Sequence, residues 1–168
     1  MKNINTKMIV TLGLLAAIEI VLSRFFSINA WNIKIGFSFV PLAVAGMLYG
    51  PVPAALTALV ADLIGATMFP SGQFHPGFTL TTVLVGLTFG LFLYKKQTTP
   101  RIILAVAVNQ IFLSLLLQSY WISTLYLSPY PATFISRIPQ ALVMAPTQFI
   151  VIGLLAKTLG RFGKKASW

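Results

Sequence analysis

The chain has no cysteine, two acidic residues and one histidine in 168 residues. Without cysteine there are no disulfides, no iron–sulfur clusters and no thiolate metal sites. With only Glu19, Asp62 and His75 to supply acids, bases and metal ligands, a metal site would have to draw on all three from separate elements. No H-E-x-x-H, G-x-S-x-G or P-loop pattern occurs. Hydrolytic, redox and ATP-driven chemistry within this chain are therefore disfavoured, and neither an enzyme nor a cofactor is expected. Charged residues make up 8% of the chain, against 57% hydrophobic, where soluble domains carry about 25% charge. That balance excludes a soluble domain and defines an integral membrane protein.

What is present is a series of apolar runs. A spanning helix needs about 20 apolar residues, or fewer inside a bundle. The chain is read as one all-α membrane domain, 1–168, with six transmembrane helices at about 7–27, 35–50, 54–69, 77–94, 102–126 and 134–159. Turn formers separate them, "GPVP" at 50–53 and "LSPYPAT" at 127–133 among them, because proline lacks a backbone donor and glycine allows left-handed turns.

The net charge of +10 does not point to nucleic acid, because the cations lie mostly in short loops. Placing both termini in the cytoplasm puts Lys2, Lys7, Lys95, Lys96, Arg101, Lys157, Arg161, Lys164 and Lys165 inside. It leaves Arg24, Lys34 and Arg137 outside, the asymmetry of the positive-inside rule. The first apolar run has no small-residue cleavage site and reads as a retained helix. Three loops then face outward, 28–34, 69–77 and 127–133, all rich in aromatics, proline or glycine.

Polar residues at membrane depth cost at least about 2.5–3.5 kcal/mol when charged and are functional candidates by default. Asp62 lies beside a small-residue face, Ala54, Ala58, Ala61 and Gly65, that lets another helix approach. It can pair with Arg24 or Arg137, or serve a ligand. Two polar stripes follow. Gln110, Ser114, Gln118 and Trp121 lie on one face of the fifth span, and Arg137, Gln140, Met144 and Gln148 on one face of the sixth. Glutamine often joins helices in membranes, but two full stripes point to a lined cavity. Gly86 and Gly90 form a G-x-x-x-G, a packing signal, and Gly13 and Ala17 a small pair on the first helix. Trp31, Phe74, Phe78, Tyr120, Trp121, Tyr126 and Tyr130 crowd the outer side, either as an interfacial belt or as stacking partners for a flat ligand. Glu19 receives no role.

The stretches "VLSRFFSI", "KIGFSFVPLAVAGMLYGPVPAALTALVADLIGA" and "FPSGQFHPGFTLTT" resemble the folate-specific S-component of energy-coupling factor (ECF) vitamin transporters. "YW…LY…P" at 120–131 and "RIPQALVMAP" at 137–146 fit as well, so the likeness runs from about 7 to 160. Gly13-x-x-x-Ala17 resembles the family's A-x-x-x-A docking motif, with glycine replacing the first alanine. The resemblance implies a six-helix protein of the bacterial plasma membrane that captures folate or a related vitamin from outside. It implies partners too: a transmembrane coupling subunit and two ATP-binding-cassette ATPases, whose ATP hydrolysis topples the S-component within the lipid. On this reading aromatics stack on the vitamin's two rings, and Asp62, Thr79, Gln110, Gln118 and Gln140 hydrogen-bond the pterin edge. Arg24 or Arg137 binds a carboxylate, with Lys34 and His75 as weaker candidates, and loop 69–77 forms an external rim. An S-component for riboflavin or thiamine, and a small autonomous transporter, are the alternatives.

Overall fold

Five prolines that look like breakers stand instead in the first turns of helices. The computed structural model describes residues 5–30, 33–70 and 73–163, with the side chains of 29, 30, 33 and 160–163 left aside. Helix α1 runs Thr6–Arg24, α2 Phe39–Tyr49, α3 Pro51–Met68 and α4 Pro76–Leu93. The next rod is continuous from Thr99 to Tyr126. It is built from α5 (Thr99–Ala107), a π-helical segment (Val108–Leu117) and α6 (Gln118–Tyr126). Helix α7 runs Tyr130–Gly163. Pro51, Pro53, Pro76, Pro100 and Pro131 all fall in a first turn, where backbone N–H groups have no partner to lose. Four helices therefore begin earlier than the expected 54, 77, 102 and 134. The turn expected over 50–53 shrinks to Gly50, whose φ of +94° is one that glycine adopts without strain.

The second expected helix begins late. Residues Ser27–Ala30 (β1) and Ile33–Gly36 (β2) pair as an antiparallel hairpin, with Ser27 opposite Gly36 and Asn29 opposite Lys34. The segment 35–38 therefore lies outside α2. Among the described residues, five helical rods are long and apolar enough to cross a membrane, and α2 is a shorter apolar helix.

Close packing is concentrated in α2, α3 and α4. A Cβ at Gly46 would stand 2.7 Å from the Gly90 nitrogen, and one at Gly86 2.7 Å from the Ala54 carbonyl. A Cβ at Gly90 would overlap Pro51. The small residues thus let backbones touch, which drives helix association where lipid is as apolar as leucine. Ala54, Ala58, Ala61 and Gly65 are all buried along α3. The core joins Leu42, Ala43, Phe89 and Leu93 to Ile102, Ala105, Met144 and Ile152 across the bundle. Large apolar side chains such as Val10, Leu14, Leu56, Leu91, Phe112, Leu142 and Leu154 face outward. That is an inside-out arrangement suited to lipid.

Candidate functional site

The two polar stripes converge. Gln110, Ser114 and Gln118 from the central rod face Gln140, Met144 and Gln148 from α7 across a cavity of about 140 Å³. Helix α1 contributes Glu19, α3 Asp62, α4 Thr81 and Thr82, and the hairpin Lys34. Phe39, Leu42 and Val85 supply apolar wall.

The π segment shapes this wall. Residues four apart drift by about 40° per step around an α-helix. Here Gln118 N–H donates to the carbonyl of Leu113, five residues back. The wider turn takes up the drift and keeps 110, 114 and 118 on the cavity side. It also reduces the angle between neighbours, so Asn109 joins Gln110 in the lining. π-helical turns within α-helices are frequently found at functional sites. On the opposite wall, Pro139 and Pro146 lie inside α7 and are exposed, while Arg137, Gln140, Met144 and Gln148 are buried.

Arg137 is 3% exposed. Its Nη2 donates to Gln118 Oε1 at 2.7 Å and to Ser114 Oγ at 3.5 Å, so it stands directly behind the cavity wall. Arg24 takes a different post. Its Nη2 lies 3.8 Å from Asp62 Oδ1, and its guanidinium packs against Gly65. Asp62 Oδ2 accepts from Thr79 Oγ1 at 2.7 Å. Arg24, Asp62 and Thr79 therefore link α1, α3 and α4. Gln140 also binds structure: its Nε2 donates to the Lys34 carbonyl at 2.9 Å, and its Oε1 accepts from Lys34 N–H at 3.4 Å. One side chain thereby fastens the hairpin to α7.

Of the expected site residues, Lys34, Asp62, Gln110, Gln118 and Gln140 line the cavity, and Arg24, Thr79 and Arg137 are one contact behind it. The aromatic group gathers elsewhere. His75 Nδ1 accepts from Gly77 N–H at 3.0 Å and caps α4. Its ring lies 5.3 Å from Trp121 and 6.0 Å from Phe78. A Cβ at Gly77 would overlap the Trp121 indole, so loop, α4 and α6 interlock there. Phe74 and Tyr126 are exposed and do not line the cavity. Trp31 lies outside the described residues. Gly13 and Ala17 are exposed on α1, on a face turned by about 100° from the buried Ala16, Glu19 and Ser23.

The lining also holds residues outside the two stripes, among them Glu19, Ser38, Thr81 and Asn109. Glu19 is its own signal, an acid inside an apolar run. Asn109 had none, because an α-helical register turns it away from Gln110 and Ser114.

A buried, polar-lined cavity inside a bundle of membrane-spanning helices defines a small-molecule carrier component. The chain matches the family described as ECF transporter, substrate-specific component, over residues 7–156, and it belongs to that family. It is thus a multi-pass membrane protein of a transport system and not an enzyme. It is 33% identical over 153 residues to the folate transporter FolT of Clostridium novyi (strain NT), covering 90% of this chain and 88% of that one. It is 31% identical over 152 residues to FolT of Leuconostoc mesenteroides subsp. mesenteroides, covering 86% and 82%. Among solved structures it is similar to FolT bound with folic acid, with a TM-score of 0.87, 34% identity and coverage of 92% and 95%. It is also similar to the S component of a bacterial ECF transporter, with a TM-score of 0.69, 28% identity and coverage of 94% and 98%.

Proposed function

We propose that this protein binds folate from the external side and delivers it across the membrane as the S-component of an ECF transporter. The observation that carries the reading is the cavity itself, on a fold similar to that of FolT bound with folic acid. Its walls combine carboxamides, hydroxyls and one ammonium group with a buried guanidinium behind them. Folate offers the complement: a flat ring edge carrying donors and acceptors, and an anionic tail that a guanidinium can hold in bidentate fashion.

Six spans with cytoplasmic termini are the topology that fits best. Five long rods and the shorter apolar α2 are compatible with six crossings, and the lysine and arginine distribution supports that orientation. The partners are a transmembrane coupling subunit and two ATP-binding-cassette ATPases. The exposed α1 stripe supports this: Gly13 has nothing within 4 Å of a Cβ position, and Ile9, Val10, Leu14, Ile18 and Val21 flank it.

The test is a folic acid titration of purified protein in detergent, read by tryptophan fluorescence and by calorimetry, with riboflavin and thiamine as controls. Saturable binding of folic acid alone is expected. Binding of riboflavin or thiamine instead would move the protein to another vitamin. For docking, Gly13→Trp and Ala17→Trp are expected to bind folic acid normally and abolish cellular uptake. Normal uptake would place the docking face elsewhere.

A further inference from the structure

Several buried polar atoms in the cavity are not used by the protein. Glu19, Asn109, Gln110 and Gln148 are 4%, 3%, 5% and 6% exposed, and all four line the cavity. Glu19 Oε2, Asn109 Oδ1, Asn109 Nδ2, Gln110 Oε1 and Gln148 Oε1 have no hydrogen-bond partner among the described residues. Gln118 and Gln140, by contrast, are engaged by Arg137 and by the hairpin backbone. Four of the five free atoms are acceptors. An amide can be turned to exchange its oxygen and nitrogen, but an ionised carboxylate is acceptor-only. A donor brought to Glu19 favours its ionised form, so N–H donors of a ligand and an acceptor-only Glu19 support one another in this patch. A buried carboxylate oxygen left without a donor, as Glu19 Oε2 is, is unfavourable, and a ligand carboxylate placed beside it would add repulsion.

We infer that Glu19, Asn109, Gln110 and Gln148 form a subsite for the N–H-rich edge of a fused amino-heteroaromatic ring, with Glu19 as the residue that demands the ring's amino group. This deepens the folate reading and rests on it. The 2-amino-4-oxo ring of folate carries adjacent N–H and NH2 donors for Glu19 and the carboxamide oxygens, and acceptors for Asn109 Nδ2. The ring then occupies the Glu19 side of the cavity, and the anionic tail lies toward Arg137. Discrimination follows, because a site built to hydrogen-bond a group rejects the analogue that lacks it.

The experiment crosses protein variants with ligand variants. Folic acid and its 2-desamino-2-methyl analogue are titrated calorimetrically against the unsubstituted protein, Glu19→Met, Glu19→Gln and Gln148→Met. For folic acid, Glu19→Met is expected to weaken binding by about 10- to 100-fold, the loss of a charge-assisted hydrogen bond. Glu19→Gln, which keeps one acceptor, loses less. For the desamino analogue, Glu19→Met changes affinity by less than about threefold, because independent contacts leave no coupling. Equal losses for both ligands, or no loss for folic acid, overturn the assignment. Gln148→Met carries the same comparison if the Glu19 variants do not fold. Failure of the unsubstituted protein to bind folic acid overturns the folate reading itself, a result separate from the other two.

Discussion

The half of the bundle formed by α2, α3 and α4 and the half formed by the central rod and α7 solve opposite problems. In the first, Gly46, Gly86, Gly90 and the alanines of α3 bring backbones into contact. The second keeps helices apart enough to hold a cavity lined by Asn109, Gln110, Ser114, Gln118 and Gln148. Gly46, Gly86 and Gly90 leave no room for added volume in the first half. The second half supplies most of the cavity's carboxamides, while Glu19 of α1, Asp62 of α3 and Thr81 and Thr82 of α4 complete its polar lining. Rigidity on one side is what allows buried polar groups on the other to keep fixed positions.

The sharpest way to break this division is Gly90→Leu. Its side chain would run into the Pro51 backbone, which cannot yield as a flexible side chain would. Overpacking costs about 1–3 kcal/mol or more, and the variant is expected to lose thermal stability in detergent severely. A normal melting temperature would mean that α3 and α4 separate easily. Next in size is Arg137→Met. It removes the buried cation behind the Gln118 wall but fills similar volume. We expect folic acid affinity to fall by about 30-fold or more, with little change in melting temperature. Equal loss of both would place Arg137 in the scaffold. Thr79→Val removes one hydrogen bond to Asp62 and costs about 1–2 kcal/mol, seen as a lower melting temperature. It tests whether the Arg24–Asp62–Thr79 link belongs to the scaffold, and a selective effect on binding would answer no. The smallest effect belongs to neither half. Leu127 is 92% exposed and ends α6 at φ +50°. Leu127→Gly is expected to stabilise slightly, by about 0.5–1 kcal/mol, without altering binding.

Much of this was legible in the sequence. The apolar runs gave the rods, the small residues of α3 and α4 marked the close contacts, and the stripes through Gln110 and Gln148 marked the cavity. What was missed has physical reasons. Pro51, Pro76, Pro100 and Pro131 punctuate a sequence in the same way whether they end one helix or start the next. The hairpin carries a weak period of two, Ile33 and Ile35 around Lys34, too short to outweigh the apolar run that follows. The aromatic residues read either as an interfacial belt or as stacking partners, and the structure adds that His75, Phe78 and Trp121 contact one another where α4 begins. Composition groups aromatics in a few loops and helix ends without saying what they touch. Glu19 and Asn109 needed the third dimension, one because a lone acid has no pattern, the other because its register is not α-helical.

The π segment has an evolutionary consequence. Each of its turns holds about one residue more than an α-helical turn. A chain one residue shorter between 108 and 117 can tighten a single turn and keep α5 and α6 where they are. Such a deletion would rotate a different set of side chains toward the cavity while leaving the membrane-facing ends of the rod undisturbed. Length, as well as residue identity, is thus a variable by which this wall can be rewritten for another ligand.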